Sequence, residues 1–137
     1  MYIKSALVSS FLILSGCMAP TEEIKKEKPV ATPINISGSA VAEVRSALMK
    51  EMKDPSSVKF GQYKSLKLMD KETQLSTIVV CGKYNAKNSY GGYVGEKMFF
   101  AKKMDNGKWS VIADSLGLFA CGDAGFKVTF GGDFVSS

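Results

Sequence analysis

The apolar pattern of the chain changes from helical spacing to strand spacing at Asp54-Pro55, and this change restricts the fold more than any other feature. Before it, large apolar residues recur on one face of a predicted helix: Val41, Val44, Leu48 and Met52. Ser39 is the predicted N-cap of this helix. Pro55 ends it, because proline disfavours helical geometry in the residue before it. The pattern therefore predicts one N-terminal helix followed by a sheet, which is the α+β class.

After Pro55 the sequence predicts a small antiparallel sheet of about four strands, on which the helix packs. Alternating or β-branched residues mark these strands at 58–68, 76–84, 97–104 and 108–113. Gly61 would allow a bulge in the first strand. Asp105-Asn106-Gly107 joins the last two strands, and Asn-Gly between apolar strands is a strong hairpin signal. Residues 114–137 are apolar but interrupted by glycine, and we expect them to pack on the sheet as a short helical turn and a last strand.

The start of the chain has the composition of a secretory signal. Lys4 precedes a mostly apolar run, 6–14, that is too short to span a bilayer. The sequence LSGC at 14–17 resembles the lipobox of bacterial lipoproteins. The resemblance implies cleavage before Cys17 and acylation of this cysteine, so that the lipid anchors the chain to a membrane. A buried helix of the domain is the alternative interpretation of the apolar run.

The resemblance to lipoproteins also implies a location and a division of the chain. In Gram-negative lipoproteins, an aspartate directly after the acylated cysteine commonly signals retention in the inner membrane. Here that position is Met18, which implies transport to the outer membrane in a Gram-negative source. We therefore predict a signal peptide at 1–16, the lipidated cysteine with a flexible tether at 17–38, and a single domain at 39–137. An edge strand beginning near Ile34 is the alternative for the end of the tether.

The two remaining cysteines, Cys81 and Cys121, are predicted to form one disulfide. An exported domain folds where disulfides persist, and an even pair in a small exported domain most simply makes one bridge. The bridge would tie the strand at 76–84 to the C-terminal segment. A redox-active cysteine is the functional alternative, although the sequence has no C-x-x-C motif.

The glycine-rich segment 81–97 is the most unusual part of the sequence. It lacks the glycine and lysine spacing of a P-loop or a dinucleotide-binding loop. Two interpretations of the segment remain open. It is either a wide structural connection between strands or a recognition loop that presents tyrosines beside flexible glycines. The residues that would contact a partner in the second reading are Asn85, Lys87, Asn88, Tyr90 and Tyr93.

This segment and the end of the helix before it also carry a resemblance. The sequences KDPSSVKF and VCGKYNAKNSYGGYVGEKMFF resemble those of a group of small exported bacterial domains of unassigned function. The similarity covers about residues 41–113, and the second motif is the specific one. It supports the predicted domain boundary and implies no activity.

Composition excludes several kinds of chemistry. The chain has no histidine, which removes Ser-His-Asp and Cys-His catalysis and His-ligated metal sites, and three cysteines are too few for a four-thiolate zinc site. We therefore expect no metal and no cofactor apart from the covalent lipid on Cys17. The net charge of +5 comes from scattered lysines with Arg45 as the only arginine, so we expect no nucleic-acid partner.

These observations lead to three hypotheses of function. The first is a non-catalytic binding module, anchored at the outer membrane or elsewhere in the envelope, whose partner is an envelope protein or an invading protein. The second is an envelope inhibitor, immunity or exclusion protein that acts against an incoming hydrolase, toxin, phage or conjugating donor. The third, an enzyme, is disfavoured, because its acidic groups show no pairing in the sequence: Asp54, Glu72, Glu96, Asp105, Asp114, Asp123 and Asp133.

Overall fold

The computed structural model of the chain describes residues 26–135. The predicted signal peptide, the predicted lipidation site Cys17 and the first part of the predicted tether lie outside the described residues. The described part contains five strands, two α-helices and one 3₁₀ turn. In chain order these are β1 (Val30–Pro33), α1 (Gly38–Lys50), the 3₁₀ turn (Pro55–Ser57), β2 (Lys59–Met69), β3 (Ser76–Asn85), β4 (Lys97–Lys103), β5 (Trp109–Ala113) and α2 (Asp114–Asp123).

The five strands form one antiparallel sheet in the order β1-β2-β3-β4-β5. Each strand therefore pairs with its neighbours in the sequence, as short connections favour. The predicted α+β class is confirmed, with five strands instead of about four and with a second helix. The extra strand is β1, which pairs with the far end of β2.

Helix α1 has the predicted apolar face but starts two residues earlier than expected. Its N-cap is Ser37, whose side chain accepts a hydrogen bond from the backbone N–H of Ala40. Ser37 and the predicted cap Ser39 are the same residue type two positions apart, so composition alone does not distinguish them. The helix ends at Lys50, before Asp54-Pro55, and Met52 beyond it still packs on the core.

The bulge and the tight turn that the sequence predicts are both present in the sheet. The register of β2 against β3 shifts between Phe60 and Tyr63, which places the predicted bulge around Gly61. At the β4–β5 turn, Gly107 adopts a positive φ of 79°, a conformation that suits glycine. The Asn106 side chain accepts a hydrogen bond from the backbone N–H of Lys108, which closes the same turn.

The two faces of the sheet are covered by different elements. On the α1 face, the buried cluster combines the helix with alternate strand residues: Val44, Leu48, Val80, Tyr84, Phe99 and Ala101. On the α2 face, the buried cluster involves the disulfide and the C-terminal segment: Leu66, Val79, Cys81, Met98, Cys121 and Phe126. Successive residues of β3 and β4 alternate between the two clusters, as the pleat of a strand requires.

The disulfide between Cys81 and Cys121 is present, as predicted, with a Cα–Cα distance of 5.7 Å. Both cysteines are fully buried. The bridge joins the middle of β3 to α2 across 40 residues of sequence. Burial inside the α2 face fits a structural bridge better than the redox-active alternative, because an exchanging disulfide has to be reached by a thiolate.

The C-terminal segment differs in detail from the expectation of a helical turn and a strand. Helix α2 has ten residues, and the strand is replaced by a single bridged pair, Val128 with Phe134. Gly117 of α2 lies so close to the sheet that a Cβ there would stand 2.7 Å from the carbonyl oxygen of Met98. Glycine at this position therefore allows the helix backbone to pack directly on β4.

Strand β1 occupies residues that the sequence assigned to the tether. Its four residues are all exposed, and it is held by pairing with Leu66–Met69 of β2. The connection to α1 is fixed as well, because Ile34 N–H donates to the carbonyl of Ser65 and the Ser65 hydroxyl donates back to the carbonyl of Ile34. Strand β1 therefore lies before the predicted domain start at Ser39. It ends at Pro33, just before Ile34, where the alternative interpretation placed the start of an edge strand.

Candidate binding loop

The connection between β3 and β4, residues 86–96, contains most of the predicted contact residues and is called here the Tyr90 loop. Its two sides approach each other at an isolated antiparallel bridge between Lys87 and Tyr93. The bridge encloses a tight turn in which Gly91 N–H donates to the Asn88 carbonyl, and Asn88 N–H donates to the Gly92 carbonyl. The loop is therefore a small hairpin with internal hydrogen bonds.

The Asn88 side chain holds the tip of the Tyr90 loop. Its Oδ1 accepts hydrogen bonds from the backbone N–H groups of Tyr90 at 2.9 Å and of Gly92 at 3.1 Å. A side-chain amide that bonds its own following backbone is typical of turns. Asn88 thus acts as a structural residue of the tip through its side-chain oxygen.

Tyr93 anchors the loop to the 3₁₀ turn. Its hydroxyl donates to the carbonyl of Ser57 at 2.9 Å, and the Ser57 hydroxyl accepts from the backbone N–H of Lys87 at 3.0 Å. The ammonium of Lys59 lies 4.4 Å from the Tyr93 ring centroid, and that of Lys87 lies 5.7 Å from it. Two cation–π contacts and one hydrogen bond therefore hold the Tyr93 side chain in place.

Tyr90 is the residue that the loop presents to solvent. Its side chain is 97% exposed, whereas that of Tyr93 is 41% exposed. Ser89, next to it, accepts a hydrogen bond from the Lys53 ammonium at the C-terminal end of α1. The backbone around Tyr90 is thus fixed on both sides while the ring points outward.

Asn85 does not belong to this exposed surface. It is the last residue of β3, is partly buried, and its Oδ1 has no hydrogen-bond partner among the described residues. Among the five residues predicted to contact a partner, Tyr90 is therefore 97% exposed and Asn85 is partly buried. The other three are also exposed, but they make contacts within the loop or with its base: Lys87, Asn88 and Tyr93.

A hollow of about 310 Å³ lies beside the loop, between the end of α1 and the start of α2. Asp114 lines this hollow. Its carboxylate accepts a hydrogen bond from the Tyr84 hydroxyl at 2.7 Å and forms an ion pair with the Lys97 ammonium at 2.8 Å. Burial acts to raise the pKa of Asp114, but the bonds from Lys97 and Tyr84 outweigh it and hold this pKa below its usual value. Burial and the neighbouring carboxylate raise the pKa of Tyr84.

Asp114 is therefore a paired, ionised carboxylate, and its backbone φ of 62° is unusual for a residue other than glycine. A carboxylate with a low pKa is ionised near neutral pH and is a poor general acid there. The arrangement stabilises the junction between β5 and α2.

One grouping of the acidic residues was missed by the sequence analysis. Lys83 of β3 forms ion pairs with both Glu96 and Asp133, which are 60% and 70% exposed. The hydrogen bond that Lys83 donates to Asp133 and the charges of Asp133 and Glu96 raise the pKa of Lys83. No periodic signal links these three positions, because the C-terminal segment folds back over β3 only in the tertiary structure. The Lys83 side chain is only 16% exposed, while its two acidic partners lie at the surface.

Among residues 26–135, no group of three acidic or cysteine side chains is placed to hold a metal ion. Within the same range, neither helix has the length and apolar composition needed to cross a bilayer. The chain matches no protein-family model, no curated protein and no solved structure.

Proposed function

We propose that the protein is an envelope lipoprotein, anchored through acylated Cys17, whose domain is a non-catalytic binding module with the Tyr90 loop as its contact surface. The observation that carries this proposal is the 97% exposed Tyr90 ring on a backbone fixed by Asn88 and Tyr93. An exposed aromatic ring on a rigid backbone loses little conformational entropy on binding, and tyrosine is enriched at the centres of protein interfaces.

The position of the loop relative to the chain entry supports the same proposal. Met69 pairs with both Val30 and Ser76, so the chain enters the sheet beside the start of β3. The Tyr90 loop follows the other end of β3, ten residues away, which corresponds to about 30 Å. A domain that is tethered at the first end would therefore keep the loop away from its point of attachment.

Capture of the partner tests the contact surface. Residues 17–137 with Cys17→Ser, oxidised and immobilised, would be exposed to solubilised envelope proteins, and retained proteins identified by mass spectrometry. This segment keeps β1, which a domain cut at Ser39 would lose. We expect one protein that is retained by the unaltered domain and lost with Tyr90→Ala, since truncation of a central aromatic contact costs about 2 kcal/mol or more, about thirtyfold in Kd.

The matched control is Phe130→Ala, because Phe130 is 99% exposed and belongs to a different part of the surface. Capture that survives Tyr90→Ala, or that is lost equally with Phe130→Ala, would refute the proposed contact surface. A host partner supports a role in the envelope itself. A partner from a competitor, a phage or a conjugating donor instead supports the second function, an envelope inhibitor, immunity or exclusion protein.

The anchor and its location have separate tests. Cys17→Ser should abolish incorporation of labelled palmitate, because the thiol is the predicted acceptor. In a Gram-negative host the unaltered protein should fractionate with the outer membrane, and Met18→Asp should move it to the inner membrane. Palmitate incorporation that persists in Cys17→Ser would show that the anchor is assigned to the wrong residue.

A further inference from the structure

A second exposed apolar surface lies on the outer side of α2 and the C-terminal segment. Leu116 and Phe119 of α2 are 67% and 69% exposed, and Phe130 in the following turn is 99% exposed. Leu116 and Phe119 are three residues apart and share one face of the helix. These three residues are called here the α2 patch.

The aromatic members of the α2 patch border the same hollow. Phe119 and Phe130 line one open hollow of about 440 Å³, although they belong to different segments. Leu118 and Val128 form part of the same lining. Two phenylalanines that converge on a shared apolar hollow, with their rings left in water, mark an interaction surface more strongly than single exposed residues do.

The chain that leads to the predicted anchor passes this hollow. Lys28, two residues before β1, lines it together with Phe119 and Phe130. Lys28 follows Cys17 by eleven positions, so the two residues are at most about 40 Å apart. If Cys17 is acylated, the α2 patch is kept within a short distance of the bilayer surface.

We propose that the α2 patch is a membrane-docking surface, whose phenylalanines enter the interfacial region of the same bilayer that holds the Cys17 lipid. This inference rests on the lipid anchor of the proposed function. Aromatic and aliphatic side chains favour the boundary between headgroups and acyl chains, and binding of this kind scales with the apolar area that is buried. Lys28 and Asp123 both line the hollow, so apolar contact is the main driving force and net charge is not.

The anchor makes such a small surface sufficient. Two phenylalanines alone would bind a membrane weakly, but a lipid on the same chain converts docking into an intramolecular step at high effective concentration. Burial of each phenylalanine shifts the equilibrium towards the docked state by about tenfold or more. The domain would then lie with its α2 face on the membrane, and the α1 face would remain exposed to the aqueous phase.

A single-cysteine label tests the docking. Cys81 and Cys121 are paired and Cys17 is acylated, so Phe130→Cys introduces a thiol that takes a polarity-sensitive fluorophore selectively. The acylated protein would be reconstituted into vesicles of phosphatidylethanolamine and phosphatidylglycerol. We expect blue-shifted emission and severalfold weaker quenching by iodide. The matched control is Tyr90→Cys, which is equally exposed and should stay fully quenchable.

The outcomes separate the two proposals. Flotation of the protein with the vesicles reports the anchor, and its failure overturns the anchor and this inference together. Flotation with equal quenching at positions 130 and 90 overturns the docking surface alone. Adding Phe119→Ser should restore quenching at position 130, and unchanged protection in that variant would contradict the proposal. A lipid-free Cys17→Ser chain that dimerises and protects position 130 would show a self-association surface instead.

Discussion

The two faces of the sheet are held by different kinds of interaction. On the α1 face, a regular helix buries Val44 and Leu48 against alternate residues of β3 and β4. On the α2 face, a helix with exposed Leu116 and Phe119 is fixed by the Cys81–Cys121 bridge and by the close backbone contact at Gly117. Both faces therefore bury apolar side chains, but the α2 face adds a covalent link and a close backbone contact that the α1 face does not have.

The difference shows how a small domain can use one helix for the core and leave another free for contacts. A helix whose apolar residues are all needed for stability cannot offer them to a partner or a membrane. Helix α2 can expose large side chains because its position is set by the disulfide and by Gly117. The following substitutions test this division.

The largest effect is expected from loss of the bridge in Cys81→Ala/Cys121→Ala. The bridge closes a loop of 40 residues, and its removal should lower the free energy of unfolding by about 4 kcal/mol through the entropy of the unfolded chain. Urea unfolding of the oxidised wild type and of the variant measures the difference. A loss below about 1 kcal/mol would mean that packing alone holds the α2 face.

The next effect is expected from Leu48→Ala on the α1 face. Leu48 is fully buried, and its truncation should cost about 3 kcal/mol, from lost apolar transfer and from the cavity that remains. The same change on the other helix, Leu116→Ala, should alter stability by less than about 0.5 kcal/mol, because that side chain is mostly exposed. Similar losses from both variants in urea unfolding would remove the distinction between the faces.

A smaller effect is expected from Gly117→Ala. The added methyl would stand 2.7 Å from the Met98 carbonyl oxygen and 2.8 Å from that of Ile112, so α2 has to shift away from the sheet. A loss of roughly 1–3 kcal/mol follows from such overpacking. Gly122→Ala in the same helix is the control, since its methyl would meet no described atom within 4 Å and should favour helix. Thermal unfolding that ranks the two variants the other way would contradict the close packing.

The smallest effect concerns pH and the junction at Asp114. Its carboxylate has a pKa below the usual 3.8, so its contribution to stability is present above that value and is lost as pH falls through the lowered pKa. Asp114→Asn keeps a residue that tolerates positive φ but removes the charge. The variant should therefore be less stable than wild type at neutral pH, and the difference should shrink below about pH 4 in urea unfolding. A difference that is independent of pH would exclude the ion pair with Lys97 as its cause.

The parts of the fold that were predicted have local signals in the sequence. Helix α1, the bulge at Gly61 and the turn at Gly107 depend on residues that are neighbours in the chain, and the disulfide was predicted from the number of cysteines and from the expected export of the domain. Strand β1 has no such signal, because its exposed residues are held by backbone pairing with β2. Helix α2 was underestimated, since Gly117 and Gly122 lower its helix propensity while tertiary contacts hold it in place.

The sequence predicted the candidate site as a group of residues, but it did not predict the different structural role of each residue. Tyr90 and Tyr93 are equivalent in the sequence, both beside glycines. They differ in the structure because the carbonyl of Ser57, 36 residues earlier, accepts a hydrogen bond from the Tyr93 hydroxyl. The same holds for the α2 patch, since the convergence of Phe119 with Phe130 depends on how the C-terminal segment folds back.

The position of strand β1 at the edge of the sheet affects how the domain responds to a pulling force. It is the first described element after the predicted anchor, and it is bonded to the rest of the sheet on one side only. Its opening therefore costs less than that of any central strand. Release of residues 30–36 would add about 25 Å to the distance that the domain can move from Cys17. If Cys17 carries the proposed lipid, a pulling force on it would extend these residues first, before any load reaches α1 or the disulfide.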